Sequence, residues 1–161
     1  MDDSKATRDE YSDTNAKANE FLFRRVELED AVTAHAAALF KASEIEFGKY
    51  VISAPSPFTK DDLARLRCDP AGVVVEKYGN FRDVYAARGF RMFPDIERVY
   101  VSRRAEDELG WTPRYDFGVV LDQIKRGEQI GSELARQVGI KAYHTQLFDD
   151  GPYPVEWLLQ V

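Results

Sequence analysis

Short apolar runs alternate along the chain with breaks marked by glycine and proline, a pattern that predicts many short helices and three short strands. Phe21–Leu28 (FLFRRVEL) reads as a strand. Over Glu29–Ser43 the period changes: Val32, His35, Ala36, Leu39 and Phe40 recur at helical spacing on one face, which is expected to meet the core. Glu29 and Asp30 fall in the first turn, where acids complement the helix dipole. Tyr50–Ala54 (YVISA), lying between Gly48 and Pro55, is β-branched and reads as a buried strand. Strand, helix, strand predicts one α/β crossover unit.

Further along, Thr59–Asp62 resembles a capping box opening a short helix with Leu63 and Leu66 inward. Helices are expected over Asp69–Tyr78 and Phe81–Arg88, a third strand over Arg98–Val101, and a helix over Arg103–Leu109 stopped by Gly110. The best-defined helix opens at Asp116, places Phe117, Val120, Leu121 and Ile124 on one stripe, and ends at Gly127. Ser132–Val138, stopped by Gly139, is the last. The fold class expected is α/β: helix-rich with a small, partly parallel sheet built from 21–28, 50–54 and 98–101. Residues 1–20 are polar and charged and read as an N-terminal arm, with a docked helix over Thr14–Glu20 as the alternative. Residues 21–154 form the one domain, and 155–161 an apolar C-terminal tail ending in Trp157-Leu-Leu-Gln-Val161.

Composition narrows the function classes. A length of 161 residues fits one domain, and 44% hydrophobic with 31% charged residues is ordinary globular usage. The formal charge of −6, with arginines scattered among acids, argues against a nucleic-acid partner. No apolar run approaches the roughly 20 residues that span a bilayer, and the start MDDSKATRDE lacks secretory-signal features. With Cys68 alone, neither an internal disulfide nor a multi-cysteine zinc site can form. A cytoplasmic location is the default expectation.

Three segments, in order and spacing, carry a family resemblance. Phe21–His35 (FLFRRVELEDAVTAH) is similar to a strand followed by Asp-Val-Ala-x-Ala-His, with Asp30, Ala34 and His35 filling the pattern. Tyr50–Ala54 followed by Pro57-Phe58-Thr59 and Asp62-Leu63 is similar to the next strand and helix. Arg104-Ala105-x-x-x-Leu109-Gly110-Trp111-Thr112-Pro113, then Phe117, is similar to an Ala-x-x-x-Leu-Gly-Trp-x-Pro signature. Together they resemble the C-terminal, substrate-binding portion of extended short-chain dehydrogenases of the nicotinamide-dependent epimerase/dehydratase family, which act on nucleoside-diphosphate sugars. The resemblance covers roughly residues 20–130.

That resemblance implies a cofactor loop, Gly-x-x-Gly-x-x-Gly, and a catalytic Tyr-x-x-x-Lys, and this sequence contains neither. The closest glycine pair, Gly127 and Gly131, follows an amphipathic helix rather than a strand. Tyr78 with Arg82 and Tyr100 with Arg104 come nearest to the tyrosine–cation pair, in the wrong part of the chain. No catalytic residue, metal site or nicotinamide binding is therefore expected of this chain alone, because it begins after both signatures. What the resemblance leaves is substrate binding. Arg91, 14 residues before Ala105, matches an arginine that clamps the sugar-nucleotide diphosphate, although the family's Arg-Pro-Gly-Asp is Arg91-Met-Phe-Pro here. Arg24 and Arg25 sit near a second diphosphate-contacting arginine, and as neighbours in a strand would face opposite ways. The partners implied are a nucleoside-diphosphate sugar and either a second copy of the chain or a separate N-terminal half, because the strand at 50–54 would otherwise leave an unpaired edge. A binding module or oligomerisation subunit is the first alternative. An unrelated small enzyme using His35 or His144 with carboxylates is the second.

Overall fold

The computed structural model describes residues 10–139. Eight α-helices are described: α1 (Asp13–Glu20), α2 (Leu28–Ile45), α3 (Leu63–Leu66, entered through a 3-10 turn at Lys60–Asp62), α4 (Pro70–Lys77), α5 (Phe81–Ala87), α6 (Arg103–Leu109), α7 (Phe117–Arg126) and α8 (Glu133–Val138). Their starts follow local chemistry. Ser12, Asp69, Asp116 and Ser132 each cap a first turn by accepting a backbone N–H three residues on. Gly110 and Gly127 close α6 and α7 in the left-handed region, at φ 66° and 76°.

Three packed clusters hold the described residues together. In the largest, α1, α4, α5 and α7 bury Ala18, Val74, Phe81, Val84, Tyr85, Phe117, Val120, Leu121 and Ile124, with Phe21, Leu22 and Ala54 from the connections. Phe117 is its centre, edge-on to Tyr78 at 5.1 Å, and its truncation to Ala belongs to the class of core changes costing about 3–5 kcal/mol. In the second, α2 lies on α6, and Ala34 packs with Ala105, Leu109 and Trp111. Alanines on α2 allow this close approach, and Trp111 Nε1 donates to Thr33 Oγ1 at 3.1 Å. Leu66, Val73 and Ile96 form a third, lesser cluster.

The expected small, partly parallel sheet is absent: no strand occurs among the described residues. The Phe21–Leu28 segment shows why. Its first amides are consumed locally, Phe21 N–H donating to Lys17 O, and Phe23, Arg24 and Arg25 N–H all donating to Glu20 O at 2.9–3.1 Å. A turn closed over four residues needs far less loop entropy than a ladder to residues 50–54 or 98–101. Leu28 then already belongs to α2. The three segments do meet, but only through single backbone bonds, Ala54 N–H to Arg25 O and Tyr100 N–H to Phe23 O, both 2.7 Å. Isolated bonds are not a sheet.

Two further expectations change. Residues 13–20 are helix α1, with Asn15, Ala16, Ala18, Asn19 and Glu20 buried, so this stretch is the docked alternative rather than an arm. Helix α2 presents the opposite face from the one its pattern nominated. Asp30 and Ala34 are buried, whereas Val32, Leu39 and Phe40 are 50%, 75% and 81% exposed. The tail at 155–161 lies outside the described residues. Among the described residues no helix is long and apolar enough to cross a membrane.

Candidate functional site

Helix α1 organises the three arginines nominated by the sequence. Its Asn15 side chain grips the Arg91 backbone from both sides, Nδ2 donating to Arg91 O and Oδ1 accepting from Arg91 N–H, each at 2.9 Å. One turn later Asn19 Nδ2 donates to the same carbonyl at 2.9 Å, and its Oδ1 accepts from the buried Tyr85 hydroxyl at 2.9 Å. Burial pushes that phenol well above its ordinary pKa, so it stays protonated and serves as a fixed donor. The Arg91 guanidinium is left on the surface. It stacks 5.1 Å from the Tyr11 ring, and Nη2 donates to Glu10 O at 2.9 Å. Among the described residues it pairs with no carboxylate.

Arg24 and Arg25 are held by the next residue of the same helix. Arg24 Nη2 lies 2.7 Å from Glu20 Oε1 and Arg25 Nη1 lies 2.8 Å from Glu20 Oε2. As residues of a turn they do not splay to opposite faces, as a strand would have required. Both fold back onto one carboxylate that is only 6% exposed. Two guanidinium charges on one buried carboxylate leave one net positive charge there. Asn15 and Asn19 hold the backbone of Arg91, whose guanidinium sits by Tyr11 and Glu10 at the start of α1, whereas Arg24 and Arg25 fold onto Glu20 at its end. Each guanidinium carries forked donors suited to phosphate oxygens, and that of Arg91 is the one with no carboxylate among the described residues.

The other nominated residues are not brought together. His35 is exposed on α2, its Nδ1 2.7 Å from Ala31 O, with no carboxylate partner among the described residues. His144 lies outside the described residues. Arg104 does not meet Tyr100: it sits 5.1 Å from the Tyr50 ring and pairs with Glu108 at 2.8 Å. Tyr50 donates to the same Glu108, and that hydrogen bond raises its pKa, the wrong direction for an activated phenol. Tyr78 is likewise pushed up, to about 12, by burial and then by Asp116. Cys68 is exposed and free. No group of three or more His, Cys, Asp or Glu side chains is arranged to hold a metal among the described residues. A shallow surface depression lined by Arg67, Asp95, Glu97 and Arg98 involves none of the nominated residues.

Sequence reasoning missed the acidic and amide groups that build the site: Asn15, Asn19 and Glu20. The available signal was Ser12-Asp13, a helix-opening pair, followed by asparagines four residues apart on one face. It also missed Glu27, a buried carboxylate that caps α2 through the Glu29 amide and accepts from Ser132 N–H at 3.0 Å. Asp30, fully buried, accepts from Arg114 N–H and Tyr115 N–H, both at 2.9 Å, which makes it a staple for the loop before α7. Compared with known proteins, the chain matches no family model, no curated protein and no solved structure.

Proposed function

We propose that this chain is the substrate-binding portion of a nucleotide-sugar epimerase/dehydratase-like protein, holding the diphosphate of a nucleoside-diphosphate sugar and performing no hydride chemistry by itself. The observation that carries the reading is the Arg91 guanidinium, presented at the surface by a backbone anchored to Asn15 and Asn19 and paired with no carboxylate among the described residues. The segment resemblances in the sequence supply the family. A nicotinamide cofactor and the acid–base tyrosine would come from a Rossmann-type unit, on the same or another polypeptide. A cytoplasmic location belongs to the same proposal and rests on the single cysteine.

Association with such a unit, or with a second copy of the chain, has its own support. Among the described residues the backbone groups of Val51, Ile52 and Ser53 make no hydrogen bond, and the fully buried Ser53 hydroxyl has no partner. Unmet backbone groups, exposed at Val51 and half-buried at Ile52, can bond to another chain.

Titration calorimetry with uridine diphosphate and a uridine-diphosphate sugar tests the binding claim. Saturable heat that falls at least about tenfold in affinity with Arg91→Ala, a loss of roughly 1.4 kcal/mol, is expected. No heat from either nucleotide would overturn the reading. A parallel titration with NAD should be silent, and saturable NAD binding would contradict the division of labour.

A further inference from the structure

The outward face of α2 carries a row of side chains that its inward face lacks. Leu28, Val32, Ala36 and Phe40 stand four residues apart, an i, i+4 ridge with no polar side chain in it, and His35 and Leu39 lie beside it. All six are exposed, with values that rise from 38% at Leu28 to 81% at Phe40. No Asp, Glu, Lys or Arg falls among them in a chain of which 31% is charged, and depletion of charge marks the centre of an interface. Charged neighbours on the same helix are already paired, Glu29 with Arg114 and Lys41 with Glu44. The inward side, with Ala34 at its centre, packs on α6 together with Tyr50 and Ile52. The ridge is therefore a different surface from the unbonded backbone at 51–53.

The occupant that matches this ridge is a second copy of it. Rows of side chains four residues apart interdigitate when two helices cross at about −50°, the commonest helix-packing class. A two-fold axis beside Ala36 sets the ridge of one copy against the ridge of the other, which is the self-complementary contact that a closed homodimer requires. Ala36 is the small member of the row, between Val32 and Phe40, so the crossing point admits close approach while the bulky neighbours reach over the other helix. Area supports the same occupant. With a buried Phe alone contributing about 150–250 Å², the six exposed side chains offer on the order of 600 Å² per chain, so two copies reach the roughly 1,200 Å² at which specific interfaces begin. We infer that the outward ridge of α2 is a homodimer contact, two copies crossing at Ala36 with Val32, Leu39 and Phe40 of each packed on the other. This goes beyond the nucleotide-sugar reading and does not depend on it.

Sedimentation equilibrium of the full chain between about 1 and 100 μM tests the inference, over the range in which so small an interface dissociates. The mass is expected to move from one chain toward two as concentration rises. Phe40→Asp and, separately, Leu39→Ser are expected to weaken association at least tenfold. Both side chains are mostly exposed in the single chain, so at the lowest concentration the variants should melt where the parent melts. If one variant melts lower there, the other replaces it. Ala36→Cys, made with Cys68→Ser to remove the exposed free thiol, should form a disulfide-linked pair of chains under mild oxidation. Lys125→Cys, exposed on α7, should form none in the same background. A parent mass of one chain throughout overturns the inference, whatever covers the ridge instead. So does a two-chain mass that both variants retain, or cross-linking as ready at 125 as at 36.

Discussion

At the residue scale the molecule depends on a few carboxylates that spend both oxygens on backbone or cation. Asp30 is the clearest. It sits fully buried at the start of α2 and takes the amides of Arg114 and Tyr115, which lie more than eighty residues away in sequence. Replacing it with Ala orphans two donors, each costing about 1–3 kcal/mol when left without a partner. Asp30→Ala is expected to lose roughly 2–4 kcal/mol in urea denaturation, a fall in Tm of roughly 5–15 °C for a chain of this size. A loss below about 0.5 kcal/mol, the usual range for surface changes, would mean that water satisfies both amides. Glu20 plays the corresponding part for cations, and its position between Arg24 and Arg25 sets the charge that a diphosphate would encounter. An incoming anion must compete with that carboxylate at two of the three arginines. Among the described residues, Arg91 is the one whose guanidinium meets only Tyr11 and a carbonyl.

At the scale of elements, the C-terminal end of α2 stores strain. Glu46 has φ 59° and ψ −61°, and Phe47 N–H bonds back to Ile45 O at 2.6 Å, which is a γ-turn in its less favourable form. A left-handed conformation costs a residue with a Cβ about 1–2 kcal/mol, and glycine avoids that cost. Glu46→Gly is therefore expected to stabilise the protein by about 0.5–1 kcal/mol, after allowing for the greater freedom of glycine in the unfolded chain. A thermal melt shifted downward by the substitution would show that Glu46 is held by a contact worth more than the strain. The Phe21–Leu28 segment illustrates the opposite balance. Its composition favours a strand, yet the carbonyl of Glu20 claims three successive amides before any ladder can form.

At the scale of the whole molecule, exposed ion pairs tune the response to acid. Glu76 is held below the ordinary carboxylate range by its hydrogen bond to Arg65, and Glu108 by Arg104 and then Tyr50. Glu128 is lowered by Arg126, Glu133 by Arg136, and Asp62 by the Thr59 amide first. Each of these carboxylates favours the folded state while ionised, so its contribution is present above the unfolded value, about 4, and is lost as pH falls through the lowered folded value. Urea midpoints should accordingly hold steady near neutrality and decline from about pH 5 downward. Asp62→Asn should flatten part of that decline by removing one titrating partner. A midpoint that rises on acidification would contradict the sign. Because these pairs, Asp62 apart, face solvent, added salt should reduce the effect.

What the sequence determined by itself was the local punctuation. The starts at Asp69, Asp116 and Ser132, the stops at Gly110 and Gly127, and the buried stripe of α7 follow from caps, turns and a 3.6-residue period that act within a few residues. The arginines nominated for the site were legible as types at spacings. Their anchoring was not, since it runs through Asn15, Asn19 and Glu20 of a helix that composition alone marked as an arm. Tertiary structure also decided that 21–28, 50–54 and 98–101 touch through single bonds without forming a sheet, and which side of α2 faces inward. Those outcomes turn on competition between a local hydrogen bond and a distant one, and between alanine's close packing on α6 and the larger bulk of Val32, Leu39 and Phe40. Periodicity reports that a helix has an apolar face; only the surrounding chain decides what, if anything, lies against it.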